Sequence, residues 1–303
     1  MASSTLAVAT TLCETPLFRR STARRPIRKL SLGARVEVRQ ACACAEASSS
    51  QDTVHRGLVR VSADGDDGYV ERSHLRIKID AVRRSIGSRK LFADGKSGLG
   101  KKAWSKPFFF LQLADSQLGM QQTFDEQPAG WAREEALLRH AIAEINRLRP
   151  AFAIVCGDLI DAFPGKAEDG EDGKETQMRA EQTFDFQLAC EQVDPAIPLV
   201  CVCGNHDVGN RPTAATIDLY KRVFGDDYFT FFIDGVKCIV LNSQLWKDGS
   251  AAPDLRDEQW RWLKAELAKE ETANARQVLV RTAAVSTPRD PSTLTASLLA
   301  PHR

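Results

Sequence analysis

Three short apolar runs, separated by helical patterns, most strongly limit how this chain can fold. The runs are Phe108–Ala114, Ala151–Cys156 and Ile197–Cys203. Between them, Trp131–Leu148 has its apolar residues on one helical stripe, and Thr183–Val193 is also predicted to be a helix. Strand, helix, strand, helix and strand joined by short connections predict a parallel sheet covered by helices. The fold class is therefore α/β.

The pattern changes after the third run. Tyr228–Ile233 and Val236–Leu241 flank an Asp-Gly pair, which is a strong signal for a β-hairpin. A helix over Asp254–Lys269 and a strand over Gln277–Val280 follow. These elements predict a hairpin, a helix and one further strand after the parallel sheet.

The first hundred residues lack such periodicity. Met1–Ser50 is rich in Ala, Ser, Thr and Arg and contains only three acidic residues, which is the composition of an organellar transit peptide. The alternative is a disordered basic tail that has no targeting function. The segment from Gln51 to Lys106 is rich in charges and glycine, with one short helix expected near Leu75–Ile86. We predict a poorly structured extension over residues 1–103 and a cytoplasmic or plastid/organellar protein, not a secreted one.

Composition excludes several classes of partner. The 303 residues carry a formal net charge of +1, which leaves no basic excess for a nucleic-acid backbone. No apolar run approaches the ~20 residues of a membrane span. Cys201 and Cys203 lie two apart in one strand and are expected to pack as small hydrophobic residues. Cys42 and Cys44 have no partner pair at zinc spacing, which argues against a structural zinc site. The eight cysteines do not form the pattern of a disulfide framework, so a reducing compartment fits best.

Polar residues follow each apolar run of the predicted parallel sheet. Asp115 and Gln117 follow the first run, Asp158 the second and Asn205 the third. Ligands of open α/β sheets bind beyond the carboxyl ends of the strands, so these residues are expected to lie close together. Carboxylate and amide oxygens suit hard divalent cations, and a bound cation removes the repulsion between two carboxylates. The sequence therefore predicts a metal site.

Each of these features also has a simpler explanation. Asp115 alone is typical of a helix cap. Asp161 can be a solvated loop acid or a backbone anchor. The turn Gly204–Asp207 alone can be an Asx-type turn. Their occurrence in order, each after an apolar run, favours the metal site.

The ordered motifs D-x-Q, G-D-x-x-D and G-N-H-D resemble those of the calcineurin-like metallophosphoesterase superfamily. Longer stretches, such as PFFFLQLADSQLG and CVCGNHDVGNRPT, point to one branch of it, and the similarity covers Trp104–Val280. The resemblance implies two packed sheets flanked by helices and two divalent metal ions, with Mn, Fe, Mg and Zn all open. It also implies hydrolysis of phosphate monoesters in phosphorylated proteins, at phosphoserine or phosphothreonine, or in small phosphoesters.

The resemblance also assigns roles to single residues. By analogy, Asp115 and Gln117 bind the first metal, Asp158 bridges both metals and Asn205 binds the second. His206 would protonate or stabilise the leaving oxygen, with Asp207 orienting its ring. Most of the superfamily has histidine where this branch and this chain have Gln117, and an amide oxygen is a weaker donor than imidazole.

The match stops after the strand Gln277–Val280. In the superfamily this strand leads to a metal-binding histidine, and a later Gly-His-x-His motif supplies two more, whereas this chain continues RTAAVSTPRDPSTLTASLLAPHR. We therefore expect a phosphoesterase domain over 104–280 that is truncated or frame-altered at its C-terminus, an unrelated low-order tail over 281–303, an incomplete second metal site and feeble activity. A catalytically impaired phosphate- or phosphoprotein-binding module is the alternative, and a phosphodiesterase or nuclease is a third hypothesis.

Overall fold

The computed structural model describes residues 102–104, 106–121, 130–166 and 169–283, together with seven strands earlier in the chain. Those strands are β1 Ala7–Thr11, β2 Thr15–Leu17, β3 Arg28–Leu30, β4 Arg35–Gln40, β5 Leu58–Ala63, β6 Asp66–Glu71 and β7 Leu75–Ile77. Five of them form an antiparallel sheet in the order β6-β5-β4-β1-β7, and β2 pairs with β3.

These strands show more regular structure than the sequence pattern predicted. Val61 of β5 and Val70 of β6 are buried. The start of the short helix expected near Leu75–Ile86 is instead strand β7, and the rest of that range lies outside the described residues. The division of the chain at residues 103 and 280 stays a prediction, as does the transit peptide.

The predicted parallel sheet is present. Its strands are β8 Leu111–Ala114, β9 Ala153–Cys156 and β10 Leu199–Val202, in the order β10-β9-β8. Ala114 pairs with Cys156 and Cys156 with Val202, so the three strands end at the same level. The polar loops that follow them therefore leave from one edge of the sheet.

Two long helices cover one face of this sheet. They are α1 Ala132–Leu148 and α2 Gln177–Cys190. The apolar stripe of α1 and the C-terminal half of α2 pack against Val155 and Leu199 of the sheet and against Cys203, which follows β10. Cys201 lies against the same cluster. The prediction that Cys201 and Cys203 share one apolar face is confirmed.

A second sheet packs against the other face. It contains the hairpin β11 Phe229–Ile233 and β12 Val236–Val240, and β13 Gln277–Arg281 runs parallel to β12. The turn residues Asp234 and Gly235 have φ values of 40° and 80°, as the Asp-Gly pair predicted. Alternate residues of the two sheets form the core between them: Phe152, Ile154, Cys156, Val200, Val202, Phe229, Phe231, Ile233, Val236, Cys238 and Val240.

Five further helices complete the described fold. They are α3 Asn205–Val208, α4 Ala214–Phe224, α5 Gln244–Asp248, α6 Pro253–Leu267 and α7 Glu270–Ala273. Leu263 of α6 packs on Ile239 and Leu241, with Trp260 beside them, which covers the outside of the second sheet. The predicted architecture of two sheets flanked by helices is confirmed. Among the helices that the structure describes, none is long and apolar enough to cross a membrane.

Candidate metal centre

The loops after β8, β9 and β10 are joined to one another by hydrogen bonds. The backbone N–H of Gln117 donates to the carbonyl of Asp158 at 2.9 Å. The N–H of His206 donates to the Asp158 carboxylate, also at 2.9 Å. The N–H of Asp115 donates to the carbonyl of Gly157 at 3.3 Å. Asp158 thus lies at the centre, with Asp115 and Gln117 on one side and the loop of His206 on the other.

Three of the predicted metal ligands have a left-handed backbone. The φ angles are 51° at Asp115, 34° at Gln117 and 47° at Asp158. This region is uncommon for residues other than glycine, and such conformations cluster at functional sites. The left-handed backbone at these positions is consistent with a site in which the direction of each side chain matters.

Gly204 allows the loops to approach this closely. A Cβ atom at Gly204 would lie 2.2 Å from Oδ1 and 2.4 Å from the backbone nitrogen of Asp158. A Cβ atom at Gly157 would lie 2.3 Å from the Cβ of Ala283. The chain that follows β13 therefore passes beside the same sheet edge.

Two carboxylates share this edge. Partial burial raises the pKa of Asp115, the nearby charge of Asp158 raises it further, and His206 opposes the shift. The neighbouring negative charge makes ionisation of Asp115 less favourable, and a bound cation would reverse that effect.

The His206 ring is held from two sides. Nδ1 contacts the backbone carbonyl of Asp161, so this nitrogen carries the proton that donates to it. Nε2 lies 3.1 Å from the side-chain nitrogen of Gln117 and accepts from that amide. The Phe163 ring packs on the imidazole, with their centroids 4.1 Å apart.

Asp207 does not hold the ring directly, contrary to the prediction that it orients His206. Its buried carboxylate accepts from the N–H groups of Gly204 at 2.7 Å and Leu159 at 3.1 Å. Burial raises the pKa of Asp207 to about 7, while the Gly204 hydrogen bond and the charge of Arg179 oppose the shift. Asp207 therefore fixes the loop that carries His206, because two unpaired loop amides need an acceptor inside the protein.

Asp161 and Phe163 were not identified as site residues from the sequence. The side chain of Asp161 accepts from the Gln117 amide at 3.3 Å, and its carbonyl holds His206. Asp161 is therefore neither a solvated acid nor only a backbone anchor. Its place in the G-D-x-x-D motif was the available signal, whereas nothing in the sequence pattern distinguished Phe163.

The donor set suits one hard cation better than two. Asp115 and Asp158 supply carboxylate oxygens, and Gln117 and Asn205 supply amide oxygens. In the described part of the chain, no group of three or more His, Cys, Asp or Glu side chains is placed to hold a metal ion. Any cation bound here would depend on the amides, and the described residues do not complete a second site.

A cavity of about 620 Å³ opens next to His206. Phe163 belongs both to this cavity and to the His206 contact. Lys166, Arg211 and Thr213 are among its other lining residues. The cavity is large enough for the organic part of a substrate whose reacting group lies at His206.

Comparison with known proteins gives the following relationships. No protein-family model matches the chain. It is 40% identical to serine/threonine-protein phosphatase CPPED1 of Danio rerio over 187 residues, which cover 59% of this chain and 57% of that protein. It is 41% identical to the Homo sapiens protein of the same name over 172 residues, 54% of this chain and 52% of that protein. The chain thus spans less than two thirds of the length of these curated relatives.

Solved structures show a weaker likeness. A dimetal phosphatase from Danio rerio matches 58% of this chain and 70% of its own, at 16% identity and a TM-score of 0.37. The purple acid phosphatase PPD1 from Lupinus luteus seeds matches 58% of this chain and 30% of its own, at 10% identity and a TM-score of 0.38.

The relatives carry the name of the branch to which the longer stretches pointed, calcineurin-like phosphoesterase domain-containing protein 1. The chain is thus similar to the CPPED1 phosphatases over more than half of its length, which agrees with the resemblance of its motifs to the calcineurin-like metallophosphoesterase superfamily.

Proposed function

We propose that this protein is a metal-dependent phosphoesterase that hydrolyses phosphate monoesters. One observation carries the proposal: the carboxylates of Asp115 and Asp158 repel each other at a sheet edge, beside a histidine whose proton is fixed on one nitrogen. Such a pair favours a cation, and the histidine supplies a group for proton transfer. The name of the relatives supports phosphorylated proteins, at serine or threonine, as the substrate class.

The cation would be held by the four predicted ligands. Asp115, Gln117 and Asp158 lie in joined loops, and Asn205 begins the short helix α3 in the third loop. The side chains of Asp115 and Asn205 have no hydrogen-bond partner among the described residues, so both remain available to a ligand. A divalent cation bound there would supply positive charge to the phosphoryl oxygens and lower the pKa of a bound water.

His206 is the proposed proton donor to the leaving oxygen in its doubly protonated form, because Nε2 of the neutral ring carries no proton and accepts from the Gln117 amide. Because its Nδ1 is held by the carbonyl of Asp161, only Nε2 can exchange a proton with a substrate. Phe163 limits rotation of the ring and lies between His206 and the cavity.

A phosphate- or phosphoprotein-binding module with impaired catalysis is the second candidate. The incomplete donor set favours it, since in the described residues only His206 brings an imidazole to the site. Two-metal hydrolysis requires each cation to be fixed by several ligands. A module would retain the loops and the affinity for phosphate without turnover.

Turnover and binding assays on the same preparation separate these candidates. Hydrolysis of an aryl phosphate and of a phosphoserine peptide is measured with added Mn²⁺, for the wild type and for Asp158→Asn. Asp218→Asn, an exposed carboxylate outside the site, is the matched control. Turnover that is lost only in Asp158→Asn supports the enzyme. Phosphopeptide binding without turnover supports the module, and neither binding nor turnover refutes both.

A variant to which the superfamily's downstream metal-binding histidines have been added tests the expectation that this chain has only feeble phosphatase activity. We expect the added ligands to raise the Asp158-dependent rate, because each cation would be held by more donors. Equal turnover by the two versions would refute the incomplete site.

A further inference from the structure

Helix α2 carries a buried polar stripe toward the metal centre. Arg179, Gln182 and Asp185 are spaced three residues apart, and their exposed fractions are 1%, 1% and 3%. Arginine is almost never fully buried unless its donors are satisfied. Asp185 accepts from the indole N–H of Trp131 at 2.8 Å, which joins α2 to α1. The other two side chains reach the site loops.

The Arg179 guanidinium joins two of these loops. Nη1 donates to the carbonyl of Ala162 at 2.6 Å and to that of His206 at 3.0 Å. Nη2 donates to the carbonyl of Asp207 at 2.8 Å. One rigid cation therefore fixes the loop after β9 relative to the loop that carries Asn205 and His206.

Gln182 contacts the loop after β8, which Arg179 does not reach, and also the loop after β9. Its Oε1 accepts from the N–H of Ala162 at 2.8 Å. Its Nε2 lies so near Gly119 that a Cβ atom at that glycine would be 2.2 Å away. Gly119 follows Gln117 by two residues, so Gln182 packs between the loop after β8 and the loop after β9.

We propose that Arg179 and Gln182 are positioning residues that set the spacing of the three loops bearing Asp115, Asp158 and Asn205. They act on backbone groups. A planar guanidinium with a forked set of donors can satisfy three carbonyls at once, whereas the compact ammonium of lysine cannot hold the same geometry. Groups that orient metal ligands typically change metal affinity about 10–100-fold when they are removed.

Mn²⁺ binding followed by electron paramagnetic resonance is the first test, and it rests on the proposed metal site. We expect Arg179→Met to weaken Mn²⁺ binding by roughly 10–100-fold and Gln182→Leu by less. Arg179→Lys should recover part of the loss, because it restores charge and one or two of the hydrogen bonds. Wild-type protein that binds no Mn²⁺ would contradict the proposed function and leave the positioning role to the second measurement.

Matched controls separate positioning from general loss of stability. Lys237 is also a fully buried cation, bonded to Glu266 at 2.9 Å and Thr272 at 2.6 Å near the opposite end of the second sheet. Gln187, on the same helix as Gln182, donates to the carbonyl of Val223. Lys237→Met and Gln187→Leu should lower the melting temperature but leave Mn²⁺ affinity within twofold of wild type.

Hydrogen exchange gives a readout that needs no metal. The amides of Gln117, Leu159 and His206 each bond across two loops. In Arg179→Met and Gln182→Leu these amides should exchange at least tenfold faster than in controls of equal melting temperature. If Arg179→Met does not fold, Gln182→Leu and Arg179→Lys decide. Exchange no faster than in the controls would overturn the proposal.

Discussion

The side chains of Gln117 and His206 meet nitrogen to nitrogen, with 3.1 Å between the two Nε2 atoms. This contact requires that the imidazole Nε2 accept, since the amide nitrogen can only donate. It also turns Oε1 of Gln117 away from the ring, where no described residue donates to it. One amide thus defines the proton position on His206 and leaves an oxygen for a cation.

Replacing this amide by the superfamily's usual imidazole should change metal preference. Gln117→His offers a nitrogen donor, which suits Zn²⁺, in place of an oxygen donor, which suits Mg²⁺. We expect the ratio of Zn²⁺ to Mg²⁺ affinity, measured by competition calorimetry, to rise about tenfold or more. Gln112→His, on the exposed side of β8, is the control and should leave the ratio unchanged. An unchanged ratio in Gln117→His would remove Gln117 from the ligand set.

Asp115→Asn should affect stability and metal binding in opposite directions. Because the folded-state pKa of Asp115 is raised, its ionised form opposes folding at neutral pH, and the amide removes that cost. The metal-free variant should therefore melt slightly above wild type. Wild type at 100 times the dissociation constant of Mn²⁺ should gain about 2.7 kcal/mol, and the variant should gain much less. Differential scanning calorimetry with and without Mn²⁺ measures both, and equal metal stabilisation of the two proteins would contradict the prediction.

Gly204→Ala should damage the site by a steric contact alone. The backbone at Gly204 is extended, with φ of −106°, so alanine introduces no backbone strain there. Its methyl group would collide with Asp158, and we expect a loss of about 1–3 kcal/mol in the free energy of unfolding together with loss of Mn²⁺ binding. Gly130→Ala is the control for loss of stability alone, because alanine is strained at its φ of 120° but no atom lies within 4 Å of the added Cβ, so Mn²⁺ binding should be retained. Normal Mn²⁺ binding by Gly204→Ala would show that the loops need not approach so closely.

Asp207 should make the stability of the metal-free protein depend on pH. Its folded-state pKa of about 7 lies above the ordinary value near 3.9, so its cost to stability is absent at low pH and grows as pH rises from about 4 to about 7. Asp207→Asn should flatten this slope, with an added constant loss from one weakened hydrogen bond. Urea unfolding at several pH values in the presence of a chelator measures the slope. The same slope in Asp207→Asn and wild type would show that this carboxyl titrates normally.

The proposed unit over residues 104–280 can be tested by limited proteolysis. We expect trypsin to cut first before residue 104 or after residue 280, because the apolar clusters on the two faces of the parallel sheet are built almost entirely from residues between these limits. Mass spectrometry of the early fragments measures this. Early cuts inside 104–280, with the seven N-terminal strands protected, would reverse the division. A reporter fused to residues 1–60 tests the transit peptide, and a purely cytosolic signal would remove that hypothesis.

Strands β9 and β10 could be predicted from the sequence because they are buried on both faces, whereas β8 at the sheet edge is partly exposed. Ala153–Cys156 is apolar throughout, and the Asp-Gly turn before Val236 is a local signal that needs no tertiary context. Because both residues follow parallel strands, the topology alone was enough to predict that Asp115 and Asp158 lie at one edge of the sheet. These features depend on burial and on local turn geometry, and both are indicated by the order of residues along the chain.

The start of α2 and the holding of His206 could not be predicted in this way. The predicted helix began at Thr183, but α2 begins at Gln177 with a Thr176 cap. Arg179 and Gln182 in its first two turns are buried, whereas a prediction from the spacing of apolar residues treats polar side chains as exposed. Likewise, the resemblance implied that Asp207 orients the His206 ring, whereas the loop turns its carboxylate toward Gly204. Both errors concern buried polar groups, whose partners are set by tertiary contacts.

The left-handed backbone of Asp115, Gln117 and Asp158 has a consequence for directed evolution. Each such position costs on the order of 1–3 kcal/mol relative to glycine or a relaxed loop, although aspartate tolerates it better than most residues. A library selected only for thermal resistance should therefore enrich glycine at these three positions and discard the ligands with them. Stability screens of this chain need a cation or phosphate selection in parallel, since the most heat-resistant survivors would otherwise be the least able to bind either.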